Sequence, residues 1–293
     1  MYINGENMKI RAALIVFTYL VSICYTNVGA EIRYRPKIVN GHPAATGSYP
    51  FLVGIENLDE IDVNNPFGHW CGGSLISSNK VLTAAHCFAL RFPDGSLKRR
   101  DLSSFRVTAN ITDYSDSTAQ IRSVQSIAIH PDYNLGGLFD FDVAVLTLDS
   151  PVTGLPTVAL GNQGHDKVGK KATVAGWGAE FSGSPFVPTH LQSGVIRVIP
   201  SKSCIDLLKR EAPAKYDSVT ATDEMIAAEF CASSKPVDAC QGDSGGPVFR
   251  EIEGKIVQIG IVSWGINCAG SVPGFYTRIS NPSVTQFILQ NIN

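Results

Sequence analysis

Ser244 lies in the stretch Cys240-Gln241-Gly242-Asp243-Ser244-Gly245-Gly246-Pro247. Glycines around a serine let the backbone turn tightly and aim N–H groups at a developing oxyanion, which suits nucleophilic attack on an acyl group. A serine hydroxyl is a weak nucleophile and needs a base held by a third group. Residues 242–246 also fit G-x-S-x-G, the nucleophile elbow of α/β-hydrolases, in which the catalytic histidine follows the serine. The six histidines are His42, His69, His86, His130, His165 and His190, all before Ser244. Residue order therefore excludes that fold, and with it a secreted lipase or esterase.

The base must come from upstream. His86, in Thr83-Ala84-Ala85-His86-Cys87, closes a strand-like segment beside a cysteine whose disulfide would pin the backbone. Asp142, in Asp140-Phe141-Asp142-Val143-Ala144-Val145-Leu146, opens another apolar strand, where a carboxylate is costly unless paired. Asp140 competes for the third role. Taken singly, each residue is more often structural than catalytic.

The elements that would hold these side chains read as strands. Lys80–Ala85, Val124–Ile129, Val143–Leu148, Gly194–Ile199 and Ile256–Trp264 are short and apolar, and several are rich in Val and Ile. They alternate with Gly, Pro, Asn, Asp and Ser clusters, which points to an all-β sandwich or a pair of barrels. Helix is expected at Cys204–Arg210 and from Pro282, where Val284, Phe287, Ile288 and Ile292 share a face. Asp149–Pro156 is the expected boundary between halves.

Composition narrows the compartment. The 293 residues are 44% hydrophobic and 17% charged, with a net charge of −2, which argues against disorder and against a nucleic-acid binder. Lys9 and Arg11 precede the apolar run Ala12–Tyr25, and small residues lead to Ala30. That is the pattern of a secretory signal peptide cut after residue 30. The run is shorter than the ~20 apolar residues of a membrane anchor, so a secreted, extracellular protein without a membrane span is expected. Cys24 would leave with the signal peptide, reducing seven cysteines to six. Residues 1–37 carry five basic and two acidic side chains, so residues 38–293 stand near −5.

Residues 38–293 resemble the trypsin/chymotrypsin-like serine endopeptidases. The resemblance rests on an ordered set of motifs: Ile38-Val39-Asn40-Gly41, Trp70-Cys71-Gly72-Gly73-Ser74-Leu75-Ile76, Thr83–Cys87, Asp142–Leu146, Gly176-Trp177-Gly178, Asp238–Val248, Ser263-Trp264-Gly265 and Pro273-Gly274-Phe275-Tyr276. It implies an all-β fold of two packed antiparallel six-stranded β-barrels with a short C-terminal helix. The pieces would be a signal peptide (1–30), an activation propeptide (31–37), an N-terminal barrel (about 38–150), a C-terminal barrel (about 151–281) and a helix (about 282–293).

The resemblance also implies roles. Ser244 attacks the scissile carbonyl, His86 shuttles the proton and Asp142 orients His86; the general description of such a triad is itself drawn from this family. The N–H groups of Gly242 and Ser244 form the oxyanion hole. Phe141 departs from the polar residue often found there. Asp238, six residues before Ser244, stands at the base of the primary specificity pocket, with Gly265 and Gly274 as walls. A buried carboxylate there favours Arg or Lys. Ala239, lacking the hydroxyl that helps accept Lys, points to Arg.

Cleavage between Lys37 and Ile38 would free an amine to pair with Asp243, so an inactive precursor and an activating protease are expected. The six cysteines pair, by the resemblance, as Cys71–Cys87, Cys204–Cys231 and Cys240–Cys268; sequence alone allows fifteen connectivities. No metal or other cofactor is expected: there is no C-x-x-C or H-E-x-x-H, and only Asp113 and Asp116 are acidic between Arg106 and Arg122.

Three loops look longer than in compact digestive relatives: Glu56–His69, Phe88–Ser104 and the segment between Cys204 and Cys231. Long rims can exclude substrates, which favours a selective processing or cascade protease. Lys98-Arg99-Arg100 reads as a solvated loop tip, a partner site or a self-cleavage site. Asn110-Ile111-Thr112 is a glycosylation sequon. Expected partners are protein or peptide substrates, an activating protease and protein inhibitors, with no nucleic acid or membrane, acting on a monomer. The competing reading is a catalytically inactive homologue that serves as a binding or cofactor protein.

Overall fold

The computed structural model describes residues 38–91, 96–133, 140–213, 227–233 and 235–292. The expected signal peptide and propeptide, with Cys24 and Lys37, lie outside the described residues. By its contacts the chain divides into Met1–Tyr34 and Arg35–Asn293, and every described residue belongs to the second unit.

The first half of the described chain runs through β1 (His42–Pro43), β2 (Leu52–Asn57), β3 (His69–Ser77), β4 (Lys80–Thr83), β5 (Ala89–Arg91), β6 (Leu97–Arg99), β7 (Phe105–Ala109), β8 (Gln120–Ile129) and β9 (Ala144–Leu148). The second half adds β10 (Ala159–Leu160), β11 (Lys171–Gly176), β12 (Gln192–Ile199), helix α1 (Ser201–Glu211), β13 (Glu229–Ser233), β14 (Pro247–Ile252), β15 (Lys255–Trp264), β16 (Gly274–Arg278) and helix α2 (Pro282–Asn291).

Two antiparallel six-stranded barrels result. The first closes in the order β2-β3-β4-β9-β8-β7. The second runs β12-β11-β14-β15-β16-β13 and closes because β13 pairs back onto β12 through Val198↔Ala232. Closure leaves neither barrel a full-length open edge. Alternation explains the inward faces: in β12 Ile196 and Val198 are buried while Val195 and Arg197 are exposed. Leu75, Val81, Val107 and Leu146 pack within the first barrel, and Val174, Ile196, Phe230 and Val248 within the second.

The N-terminal barrel was expected to start at residue 38, but His42–Pro43 pairs with Ser193 and Gln192 of the second barrel. The segment therefore crosses over, and Val39 bridges to Asp238. Helix α2 starts where Pro282 follows the cap Asn281, whose side chain accepts from the Ser283 and Val284 N–H groups. Its Val284, Phe287 and Ile288 are buried in the same cluster as the first-barrel core. Helix α1 exceeds its expected span by a few residues at its start and one at its end.

In the loop after His86, Lys98 and Arg99 are exposed, as a solvated reading expects, and Arg100 is only partly so. The loop folds into the hairpin β5–β6, with Lys98 and Arg99 on β6. Arg100 lays its guanidinium over the Trp70 ring, 4.5 Å from its centroid, a cation–π contact that holds the hairpin base against β3.

Candidate active site

His86 sits in a single 3₁₀ turn, Ala85–Cys87, just after β4. The turn is fixed on one side by the Cys71–Cys87 disulfide, which ties it to β3. On the other side Asp142 grips it twice: Oδ1 accepts from the His86 backbone N–H at 2.9 Å and Oδ2 meets Nδ1 at 2.7 Å. Asp142 lies two residues before β9, not at its first position, and is fully buried. Its carboxylate also accepts from Ser263 Oγ at 2.6 Å, and its carbonyl accepts from Thr277 Oγ1 at 2.9 Å. Each carboxylate oxygen thus has a donor, the condition for burying a charge. With the carboxylate on Nδ1, the Nε2 nitrogen faces away from it. It lies 3.9 Å from Cys87 Sγ, itself 4.0 Å from the Ser244 carbonyl.

Ser244 is held from its backbone. Its carbonyl accepts from Gly72 N–H at 2.7 Å, binding the turn to β3. Gly245 must be glycine: its φ is +78°, and a Cβ would collide with Thr83 Oγ1 and lie 2.6 Å from the Gly72 carbonyl. The orientation of the two expected oxyanion donors follows from the peptide planes. The Gln241 carbonyl accepts from Ala179 N–H at 2.6 Å and the Asp243 carbonyl from Gly246 N–H at 2.9 Å. In a trans peptide C=O and N–H point oppositely, so Gly242 N–H and Ser244 N–H are turned away from those anchors.

Asp238 is nearly buried at the end of a cavity of about 120 Å³. Ser244, Gly265, Gly274, Trp264 and Ala239 also line it. The carboxylate is aimed by Ala239 N–H and Ala269 N–H, each at 2.9 Å. A Cβ on Gly265 would sit 3.8 Å from the Gly274 Cα, so the two glycines face each other across the slot. Burial, outweighing those hydrogen bonds, pushes the Asp238 pKa up to about 6. The Cys240–Cys268 disulfide braces the same cavity.

Asp243 is fully buried next to Ser244. It accepts from Gly178 N–H and Cys240 N–H, both at 2.8 Å. Burial raises its pKa to about 7, and no side-chain cation among the described residues offsets that burial. Ile38 is also fully buried and its methyl group packs at Gly194. Asn110, in the sequon, donates its side-chain amide to the Thr118 carbonyl at 2.9 Å in an exposed turn.

Several contributors leave little or no mark in the sequence. Ser263 lies within a family motif that by itself assigns it no role. His69 and Tyr114 have no local pattern at all, yet His69 meets the Gly242 carbonyl through Nε2 and the Tyr114 hydroxyl through Nδ1. Glu229 is buried and accepts from Trp264 Nε1 at 3.2 Å, and burial together with the nearby Asp140 raises its pKa well above the usual carboxylate range. Cys71, His86 and Cys87 cluster closely enough to suggest a metal site. Both sulfurs are committed to a disulfide, so they offer no thiolate ligand.

The family description Trypsin matches residues 38–288. The chain is 33% identical over 255 residues to Trypsin Blo t 3 of Blomia tropicalis, covering 83% of this chain and 82% of that one. It is 33% identical over 249 residues to Trypsin of Sus scrofa, covering 84% and 92%. Serine proteinase stubble of Drosophila melanogaster is 30% identical over 283 residues, covering 93% of this chain but 33% of that longer protein.

Proposed function

The chain belongs to the trypsin family of serine proteases, and from that premise we propose that it is a secreted endopeptidase, made as a zymogen, that cuts after Arg or Lys. Ser244 Oγ attacks the scissile carbonyl and His86 Nε2 takes its proton, then returns it to the leaving amine. Asp142 fixes the tautomer with Nδ1–H toward itself and stabilises the imidazolium. Gly242 and Ser244 N–H groups receive the oxyanion. The observation that carries this reading is the doubly gripped His86 beside a serine turn whose peptide planes are anchored for oxyanion binding.

The acidic slot supports the substrate class. A long cationic side chain would reach Asp238 between Gly265 and Gly274, and Ala239 leaves Arg with the advantage. Residues 1–30 act as the export signal and 31–37 as the propeptide. Cutting after Lys37 frees the Ile38 amine for Asp243, whose raised pKa marks a carboxylate in need of a cation. Val39 alongside Asp238 and Asn40 Nδ2 bonded to the Pro236 carbonyl at 3.1 Å support a docking track for that new terminus. An Arg preference would make self-activation at Lys37 slow and call for another protease. Asn110 is the proposed glycan acceptor, and the β5–β6 hairpin and neighbouring rims suit a selective processing role with protein inhibitors as further partners.

The test is a peptide-library cleavage profile of protein activated at Lys37, run beside uncut protein. Cuts after Arg, and less after Lys, with an inert precursor support the reading. Equal kcat/KM on matched Arg and Lys peptides removes the Arg preference; full activity before cleavage removes the zymogen.

A further inference from the structure

A buried tyrosine and histidine, far apart in sequence, meet behind the serine turn. His69 Nε2 lies 2.9 Å from the Gly242 carbonyl and His69 Nδ1 lies 2.6 Å from the Tyr114 hydroxyl. A carbonyl only accepts, so Nε2 carries the proton and donates. Burial holds the His69 pKa down to about 4, so the ring is neutral and Nδ1 is bare. The Tyr114 hydroxyl must then be the donor to Nδ1, and burial keeps that phenol protonated by raising its pKa. The relay has one direction: Tyr114 O–H to His69, His69 N–H to Gly242 C=O.

Tyr114 is placed rigidly enough to serve. Its backbone N–H donates to the Thr189 carbonyl at 3.0 Å. Its ring stacks on Phe67 at 5.1 Å and packs against Trp177 at 5.5 Å. Asp116 ties the loop beneath by accepting from Thr112 and Asp113 N–H groups at 2.6 and 2.9 Å. The hydroxyl occupies the space where a Cβ on Gly54 would stand, so β2 leaves room for it.

Gly242 is the position that needs a clamp. Its φ of +95° lies in a region where glycine moves freely. Ala179 holds the peptide before it, through the Gln241 carbonyl; His69 holds the peptide after it. The first anchor aims Gly242 N–H, and the second, with Asp243 N–H donating to the Cys240 carbonyl at 2.9 Å, fixes the next plane so that the glycine cannot pivot between them.

We propose that Tyr114 is a positioning residue for catalysis, acting through His69 to fix the Gly242–Asp243 peptide plane, so that Gly242 cannot pivot and its own N–H, in the preceding peptide, stays aimed at the oxyanion. The inference rests on the protease reading above, in which that N–H is a donor to the transition state. A donor that strengthens only as charge develops changes kcat more than KM.

The experiment uses activated full-length enzyme and its Tyr114→Phe variant, which keeps the stacked ring. Loss of one clamping hydrogen bond should lower kcat by roughly tenfold, with KM nearly unchanged. Affinity for a peptidyl boronate, which mimics the tetrahedral state, should fall in parallel, while benzamidine, which reads only the Asp238 slot, should bind as before. In a His69→Ala background the same substitution should have no further effect. Unchanged kcat, parallel loss of benzamidine binding, or a full effect in the His69→Ala background overturns the proposal. Histidine ¹⁵N resonances of the unaltered enzyme test it without any variant: His69 should show the neutral Nε2–H tautomer, and an Nδ1–H tautomer overturns it. An inactive wild-type enzyme would instead sink the protease reading.

Discussion

Proton competition at Asp238 gives a quantitative handle on the proposed specificity slot. The carboxylate is 7% exposed and its pKa stands at about 6. A cation in the slot binds the ionised form, and protonation removes that form as pH falls. Above pH 7 nearly all sites are ionised; at pH 6 about half are, and at pH 5 about a tenth. The apparent Kd for benzamidine should therefore be flat from pH 8 to 7, rise about twofold at pH 6 and about tenfold at pH 5. On the proposed activation, the freed Ile38 amine would keep Asp243 ionised over this range, which would leave the titration to Asp238. The assay is fluorescence or calorimetric titration of benzamidine into activated enzyme at constant ionic strength. Asp238→Asn should abolish the pH dependence and weaken binding by ~10²-fold or more, because a buried cation is left without its counter-charge. Constant affinity between pH 7 and 5, or an Asp238→Asn variant that binds benzamidine as tightly, would show that another group governs the slot.

Further outcomes follow from individual contacts. Gly178→Ala places a Cβ on the buried Asp243 carboxylate; overpacking should cost roughly 1–3 kcal/mol, and activity should drop as the Ser244 turn shifts, measured by thermal melts and kcat/KM. Ser263→Ala removes one of the donors to Asp142 Oδ2; a hydrogen bond to a charged group is worth about 1.5–3 kcal/mol, so kcat should fall at least about tenfold with KM little changed. Replacing Cys204 and Cys231 together by Ala opens a loop with a sequence separation of 27. The chain-entropy model gives ~3.5 kcal/mol, a Tm lower by roughly 10 °C, with active-site titration unchanged in the folded protein.

The sequence was legible where chemistry is local. Strand patterns, the turn around Ser244, the cysteine beside His86 and the apolar face of Val284, Phe287 and Ile288 all announce themselves within a few residues. The three disulfides formed as the family resemblance implied. What stayed hidden depends on distant segments meeting. Gly242 and His69 are 173 positions apart, and Asp142 and Ser263 121 apart, so neither pairing leaves a periodic trace. His42–Pro43 joins the second barrel because β13 covers only the far end of β12, leaving Gln192 and Ser193 to pair with it. That is a tertiary fact that two residues cannot encode. Lys98 and Arg99 are exposed as their charge suggests; what the triplet does not announce is the Trp70 face that receives Arg100, because that ring belongs to a strand well upstream in the chain.

Everything proposed for the site turns on whether Ser244, activated by His86 and Asp142, is a working nucleophile once Ile38 becomes a new terminus. The direct measurement is labelling with a serine-reactive arginyl phosphonate before and after cleavage at Lys37, with the modified residue located by peptide mass spectrometry. Stoichiometric modification of Ser244 is expected in the cleaved protein, little in the uncut chain, and none in the cleaved His86→Ala variant. A cleaved, folded protein that leaves Ser244 unmodified would overturn the nucleophile assignment and favour a binding protein built on a protease fold.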